Sequence, residues 1–186
     1  MKRAVDIVGA LAGLVVLSPL MLSVAVAVRL ESAGPALHWS RRVGRKNRVF
    51  PMPKFRTMRT GAPDVATHLL DDPHRWVTPL GRILRRTSLD ELPQLWSVLA
   101  GEMSLVGPRP ALFNQDDLVA LRTQAGVDAL RPGLTGWAQI NGRDELPIGE
   151  KARLDREYLE RRSLAFDFQI LMATARSALS GRGVKH

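Results

Sequence analysis

No cysteine occurs in the 186 residues, which excludes disulfides and thiolate metal sites. Aromatic residues are scarce at 5%. No RNP, KH or helix-turn-helix pattern accompanies them, which counts against a sequence-reading nucleic-acid domain. His68 and His74 have neither the spacing nor a third ligand for a zinc site. There is no internal repeat and no low-complexity tract. Acid is the scarcer charge: 18 Asp and Glu face 27 Lys and Arg, a formal net charge of +9. That surplus favours polyanions, whether nucleic acid, anionic lipid or phosphorylated substrate. The length suits one domain with an appendage and a real core.

What the chain does have is a long apolar run at its start. Residues 4–28 carry a single charge, Asp6, and about 20 apolar residues suffice to span a bilayer. Lys2-Arg3, the apolar stretch and Ala25-Val26-Ala27 also have the three-part form of a secretory signal. Asp6 and the arginine-rich stretch that follows count against export. Ser18-Pro19 bears on the membrane readings. A mid-helix proline removes a hydrogen bond and kinks the chain, and a serine hydroxyl can take up the freed carbonyl. Positive charge lies on both sides, at Lys2-Arg3 and from Arg29 onward, so both ends prefer the cytoplasm. A kinked helix that enters and leaves by one face meets that preference. A simple kinked transmembrane anchor is the alternative.

Residues 29–60 turn sharply basic, and 36–42 with 48–56 read as a β-hairpin around Gly44-Arg45-Lys46-Asn47. Trp39 and Phe50 suit the membrane interface, with the basic residues against anionic head groups. Most of these arginines read as solvated; Lys54 and Arg56, in KFRTM, stand apart as site candidates. Residues 61–73 form a polar loop with a short helix at its centre.

The stretch 82–110 carries the strongest chemical pattern. Arg82, Arg85 and Arg86 precede an acidic pair, Asp90-Glu91; a helical run of Leu92, Leu95, Trp96 and Leu99 follows, ended by Gly101, then Pro108-Arg109-Pro110. Ser88 with Glu91 fits a capping box, and Asp90 fits equally as the N-cap. On the plain reading the acids are caps. On the other, arginines beside a helix N-terminus bind phosphate oxygens, and a carboxylate among them attacks as a nucleophile or holds Mg²⁺.

Beyond it, 111–123 reads as a helix. RPGLTGWAQINGR, residues 131–143, reads as a glycine-rich loop with close backbone approach. Residues 151–162 read as a charged helix with Asp155 and Tyr158 on adjoining faces, its charges solvated by default. The last helix, 166–179, suits core packing or the interface. The basic tail reads as frayed.

KFRTM, TSLDELPQLW, GEMSLVGPRP and RPGLTGWAQINGR, behind DIVGALAGLVVLSPL, occur in this order. Together they resemble the monotopic polyprenyl-phosphate phosphoglycosyl transferases, the bacterial initiating sugar transferases, in their minimal catalytic form. The resemblance implies an enzyme that passes sugar-1-phosphate from a UDP-sugar to membrane polyprenyl phosphate and releases UMP. It implies a ping-pong route through a phosphosugar-aspartyl enzyme, with Mg²⁺. Asp90 matches the nucleophile and a Mg²⁺ ligand, and Glu91 its supporting carboxylate. Arg85 and Arg109 match phosphate- and nucleotide-binding arginines, Lys54 and Arg56 a basic pair beside them, and Gln139 and Arg143 further substrate contacts. Ser18 and Pro19 match the break that makes the membrane helix re-entrant. Pro53 stands where an aromatic residue is usual and Ser40 where glutamine is common. The segment DELPIGEKARLD lacks a tryptophan many members carry and resembles that of members using N-acetylamino sugars such as UDP-GalNAc.

The expected fold is α+β, mostly helical with a small β-hairpin and interfacial amphipathic helices. Residues 1–30 are the re-entrant membrane helix and 31–186 a catalytic domain on the cytoplasmic face of the bacterial inner membrane, initiating glycoconjugate assembly. The rival from another class is a membrane-tethered basic nucleic-acid-binding protein, disfavoured by the few aromatics and the missing motifs, so no nucleic-acid partner is expected; a phosphate-binding regulator without catalysis is disfavoured by the intact acidic pair.

Overall fold

The computed structural model describes residues 1–62, 72–142 and 146–180. It is mostly helical with a small antiparallel hairpin, the α+β class expected. Helix α1 (Lys2–Glu31) runs unbroken through Pro19. Proline has no N–H for the carbonyl one turn back, here that of Val15. The Ser18 hydroxyl donates to that carbonyl at 2.8 Å, and the Ser23 hydroxyl donates to the Pro19 carbonyl at 2.9 Å. The hydroxyl compensation is in place, and the pair does not divide α1 into two helices. By length and composition α1 could cross a membrane, with a mean hydropathy of 2.4 over an 18-residue stretch.

One stripe of α1 packs against the rest of the chain. Asp6, Ala10, Val24 and Val28 are buried, and Leu14, Leu17 and Met21 pack between them. Steps of three and four residues put this set on one helix face. Val8, Val15, Val16 and Leu22 stay exposed. At the start of α1, Lys2 Nζ donates to Asp167 at 2.6 Å and to the Val106 carbonyl at 3.1 Å. The Asp6 carboxylate accepts from Ser104 Oγ and the Leu105 N–H, each at 3.0 Å. At its end, the Arg56 guanidinium donates to the carbonyls of Ser32 and Ala33, each at 2.6 Å.

Strands β1 (Leu37–Val43) and β2 (Val49–Phe55) pair antiparallel from Leu37↔Phe55 to Val43↔Val49, as the hairpin reading predicts. Side chains alternate along a strand, so Phe50, Met52 and Lys54 share a row. Phe50 and Met52 enter a core cluster with Ala10, Leu95 and Val98, and Lys54 emerges beyond it. Phe50 is therefore a core residue rather than an interfacial one, while Trp39 is 53% exposed. The helix expected at the centre of 61–73 falls within 63–71, outside the described residues.

After the short α2 (Pro73–Trp76), α3 (Pro79–Thr87) starts at Thr78, whose hydroxyl accepts from the Gly81 N–H at 2.9 Å. Ser88 closes α3 in the left-handed region, φ 57°. Leu89–Glu91 then makes a single 3-10 turn before α4 (Gln94–Ala100), which ends at Gly101 with φ 88°. Neither capping arrangement forms: no side chain caps α4, and Pro93 occupies the cap position. Ser88 is used to stop the preceding helix, and the Glu91 carboxylate has stronger partners.

Strand β3 (Ser104–Val106) pairs in parallel with β4 (Gly133–Thr135), so the glycine-rich stretch is a strand followed by the short α6 (Trp137–Ile140) rather than a loop. Close approach explains its glycines: a Cβ on Gly133 or Gly136 would strike the Gly107 backbone. Helix α5 (Asp116–Gln124) begins later than predicted. Residues 111 and 112 instead extend the hairpin edge, with the Val43 N–H donating to the Ala111 carbonyl at 2.9 Å. Helices α7 (Ile148–Arg161) and α8 (Leu164–Ser180) complete the described chain. On α7, Asp155 and Tyr158 are buried rather than solvated, at 1% and 2% exposure. Tyr158 donates to Asp167 at 2.6 Å, and Asp155 is ion-paired to Arg122. Helix α8 divides its faces: Phe166 and Ile170 are core, Phe168 and Met172 exposed.

Arg56 is 7% exposed. Arg56→Met would leave the end of α1 without its charged donor, an expected loss of roughly 1.5–3 kcal/mol. A lower unfolding midpoint of the detergent-solubilised protein is the expected reading.

Candidate functional site

Three elements meet at the acidic pair. The 3-10 turn presents Asp90 and Glu91, β2 supplies Lys54, and the segment after β3 supplies Arg109. One oxygen, Glu91 Oε1, accepts from Lys54 Nζ at 2.8 Å and from Arg109 Nη2 at 3.0 Å. Asp90 is only 7% exposed. Lys54 Nζ lies 3.9 Å from its Oδ2, and it accepts no hydrogen bond from any described residue. Arg85, on α3, donates through Nε to Thr57 Oγ1 at 2.8 Å and lies close enough to act on the Asp90 charge.

The two carboxyls are thus pushed apart. Burial raises the Asp90 pKa, and Glu91 adds to this, against the pull of Lys54, Arg85 and Arg109. Burial would raise Glu91 as well, but the charges and hydrogen bonds of Arg109 and Lys54 outweigh it. They hold that carboxyl well below the usual range. Glu91 is a neutralised anion fixed in place. Asp90 is buried among the same cations and accepts no hydrogen bond from any described residue.

The remaining candidates divide. Arg56 is not brought into this cluster; it serves the end of α1. Gln139 donates through Nε2 to the Leu134 carbonyl at 3.1 Å, bracing the β4–α6 turn, with its Oε1 buried and unpaired. Arg143 lies outside the described residues. Arg122 escaped the sequence reading, and Asp155 was named there without its partner: Arg122 donates through Nη1 to the Arg109 carbonyl at 2.8 Å and through Nη2 to Asp155 at 2.6 Å. A signal was present, because Asp155 falls on the same face of α7 as buried Ala152 and Tyr158.

No group of three or more His, Cys, Asp or Glu residues that could hold a metal occurs among the described residues. Mg²⁺ is commonly bound through one or two carboxylates together with substrate phosphates. The unengaged Asp90 carboxylate fits that mode.

A family profile described as bacterial sugar transferase matches residues 1–181. The chain belongs to the bacterial sugar transferase family. It is 40% identical to the undecaprenyl-phosphate glucose phosphotransferase of Komagataeibacter xylinus, over 97% of this chain but 36% of that protein. It is also 40% identical to the uncharacterized sugar transferase EpsL of Bacillus subtilis, over all of this chain and 90% of EpsL. Against the UDP-N-acetylgalactosamine-undecaprenyl-phosphate N-acetylgalactosaminephosphotransferase of Aeromonas hydrophila, identity is 36% over 99% of this chain and 45% of that protein. The chain therefore spans less than half of two of these relatives and most of the third.

The pair should titrate on opposite sides of the ordinary carboxylate range, about 4. Infrared difference titration against Asp90→Asn and Glu91→Gln should place Asp90 above it and Glu91 below it. Lys54→Met should raise both. For Glu91 the sign follows from the lowered folded-state value. Its contribution to stability is complete above the unfolded-state pKa of about 4.3 and is lost as pH falls further.

Proposed function

We propose that this chain transfers sugar-1-phosphate from a UDP-sugar to polyprenyl phosphate, releasing UMP, with Asp90 as the covalent nucleophile. The observation that carries this reading is the division of labour in the acidic pair: Glu91 engages both cations, while Asp90 accepts no hydrogen bond from any described residue. An Asp90 oxygen attacks the phosphorus that bears the sugar. The bond from that phosphorus to the bridging oxygen breaks, and the electron pair leaves with UMP. A polyprenyl phosphate oxygen then attacks the same phosphorus, and the Asp90 carboxylate is regenerated.

Burial removes water that would compete for the acyl phosphate, and Lys54, Arg85 and Arg109 offset repulsion between Asp90 and the incoming diphosphate. Mg²⁺, held by Asp90 and the substrate phosphates, would supply further charge neutralisation. Relatives named for glucose and for N-acetylgalactosamine transfer frame the donor question. An N-acetylamino sugar such as UDP-GalNAc is the donor this reading tests first.

The lipid acceptor implies a bilayer, and the exposed apolar face of α1 provides a surface for one. Both ends of α1 bond to the same domain, through Lys2 and Asp6 at one end and Arg56 at the other. This supports a monotopic arrangement with both ends on the cytoplasmic face of the bacterial inner membrane. A cysteine introduced at residue 1 should resist membrane-impermeant thiol reagents in intact cells; labelling from outside would sink the arrangement.

Asp90→Asn keeps the shape but removes the nucleophilic anion, so UMP release should cease even without lipid acceptor. Glu91→Gln should slow turnover and retain part of the first half-reaction. Enzyme incubated with labelled UDP-sugar alone, quenched and mapped by mass spectrometry, should carry the phosphosugar on Asp90. An adduct elsewhere, or release only when both substrates are present, would replace the two-step route with direct transfer.

A further inference from the structure

The segment from Val106 to Ala111 is held carbonyl by carbonyl. Lys2 and Tyr158 donate to Val106, the Gly133 N–H to Pro108, Arg122 to Arg109, Arg42 to Pro110 and the Val43 N–H to Ala111. Pro108 and Pro110 fix φ on either side of Arg109 and have no N–H to donate. The flanking carbonyls are held from β4 and β1, and the Arg109 peptide itself is held through the bond its own carbonyl accepts. Among the described residues that donor is Arg122, at 2.8 Å.

Arg122 cannot swing away from this bond. Its Nε and Nη2 both donate to Asp155 Oδ2, at 2.9 and 2.6 Å. The pair is nearly closed to solvent, with side-chain exposures of 11% and 2%. A buried ion pair returns little net stability against its own desolvation. Its informative feature is the third bond, which leaves the pair for a loop carrying a site cation.

We propose that Asp155 and Arg122 form a positioning relay that fixes the Arg109 backbone so that its guanidinium reaches Glu91 and the phosphates of the sugar nucleotide. The proposal rests on the phosphoglycosyl transfer reading for its substrate but not for its geometry. Asp155 on α7 orients Arg122 on α5, and Arg122 holds Arg109. Neither relay residue touches the acidic pair. Misplacing a binding group by about 1 Å can cost roughly 10²-fold in rate. The contact the relay serves is itself worth roughly 10- to 150-fold.

The test uses the full chain in detergent or nanodiscs. Asp155→Asn removes the charge that orients Arg122. Arg122→Lys keeps the charge but cannot reach Asp155 and the Arg109 carbonyl together. Each should lower kcat/KM for the UDP-sugar by roughly 10- to 100-fold, mainly through KM. In an Arg109→Ala background, Asp155→Asn should add less than about twofold, because the group it positions is gone. Losses that multiply in full would overturn the proposal, since a merely structural role gives that result.

A second measurement is independent of turnover. Amide hydrogen exchange in residues 107–113 should rise in Asp155→Asn while the β1–β2 hairpin is unchanged. Unchanged exchange in 107–113, or a rise throughout the chain, would also overturn it. If the wild-type protein releases no UMP from any UDP-sugar, the catalytic reading fails, and the exchange result still decides the relay.

Discussion

A single carboxylate oxygen, Glu91 Oε1, draws a strand residue and a loop residue to the same point. Burying an uncompensated charge costs several kcal/mol, so the largely buried Lys54 and Glu91 each need an opposite charge, while Arg109 reaches the same oxygen from a partly exposed position. The hairpin, the 3-10 turn and the segment after β3 are accordingly registered on one another by charge as well as by packing. Asp90 inherits the result. It is carried by the same turn as Glu91, enters the same dry setting and meets the field of the same cations without being tied by them. A buried carboxylate to which no described residue donates a hydrogen bond is unfavourable on its own, which is what a group awaiting a further partner requires.

The same economy governs α1. Its apolar stripe closes two of the core clusters, with Ala10 among Phe50, Leu95 and Val98, and Val24 and Val28 beside Phe55 and Leu84. Polar locks sit at both ends of the stripe. A straight helix of this length extends about 45 Å, which would separate its ends across a bilayer. Here the ends are bonded to one body, so α1 is part of the catalytic fold rather than a tether for it. Disturbing how α1 lies would reach β3 through Asp6 and Lys2, and β3 leads directly to Arg109.

Much of this was readable in the chain. The hairpin announced itself through its Gly-Arg-Lys-Asn turn, the long apolar helix through composition, and the acidic pair through the arginines beside it. Ser18 was read as the partner of a freed carbonyl, and it is one. Other features were hidden because they depend on tertiary partners. Glycines at 133 and 136 looked like loop residues, since nothing local announces that Gly107 packs against them. Arg56 was paired with Lys54 in KFRTM as a site cation, on the strength of the resemblance. In a strand continued by one residue, two steps keep a side chain on the same row, but the chain leaves β2 after Phe55 and Arg56 turns to the end of α1. Ser88 and Glu91 fit a capping box on paper, yet the charges offered by Lys54 and Arg109 outcompete a neutral backbone N–H for the carboxylate.

The buried charges on α7 and α8 carry the same lesson further. Asp155 and Asp167 each lie on helix faces that are otherwise apolar, and each reaches a partner far away in sequence: Arg122 on α5 and Lys2 on α1. Both partners also donate to backbone carbonyls of the segment that presents Arg109, at Arg109 itself and at Val106. Two aspartates on two helices therefore converge, each through one basic side chain, on one short stretch of chain. Hydrophobic contact alone is tolerant of small shifts, because it has no direction. Hydrogen bonds to ions are short and directional. Placing them around the mount of a single guanidinium gives it a defined position that the apolar core, by its nature, does not impose.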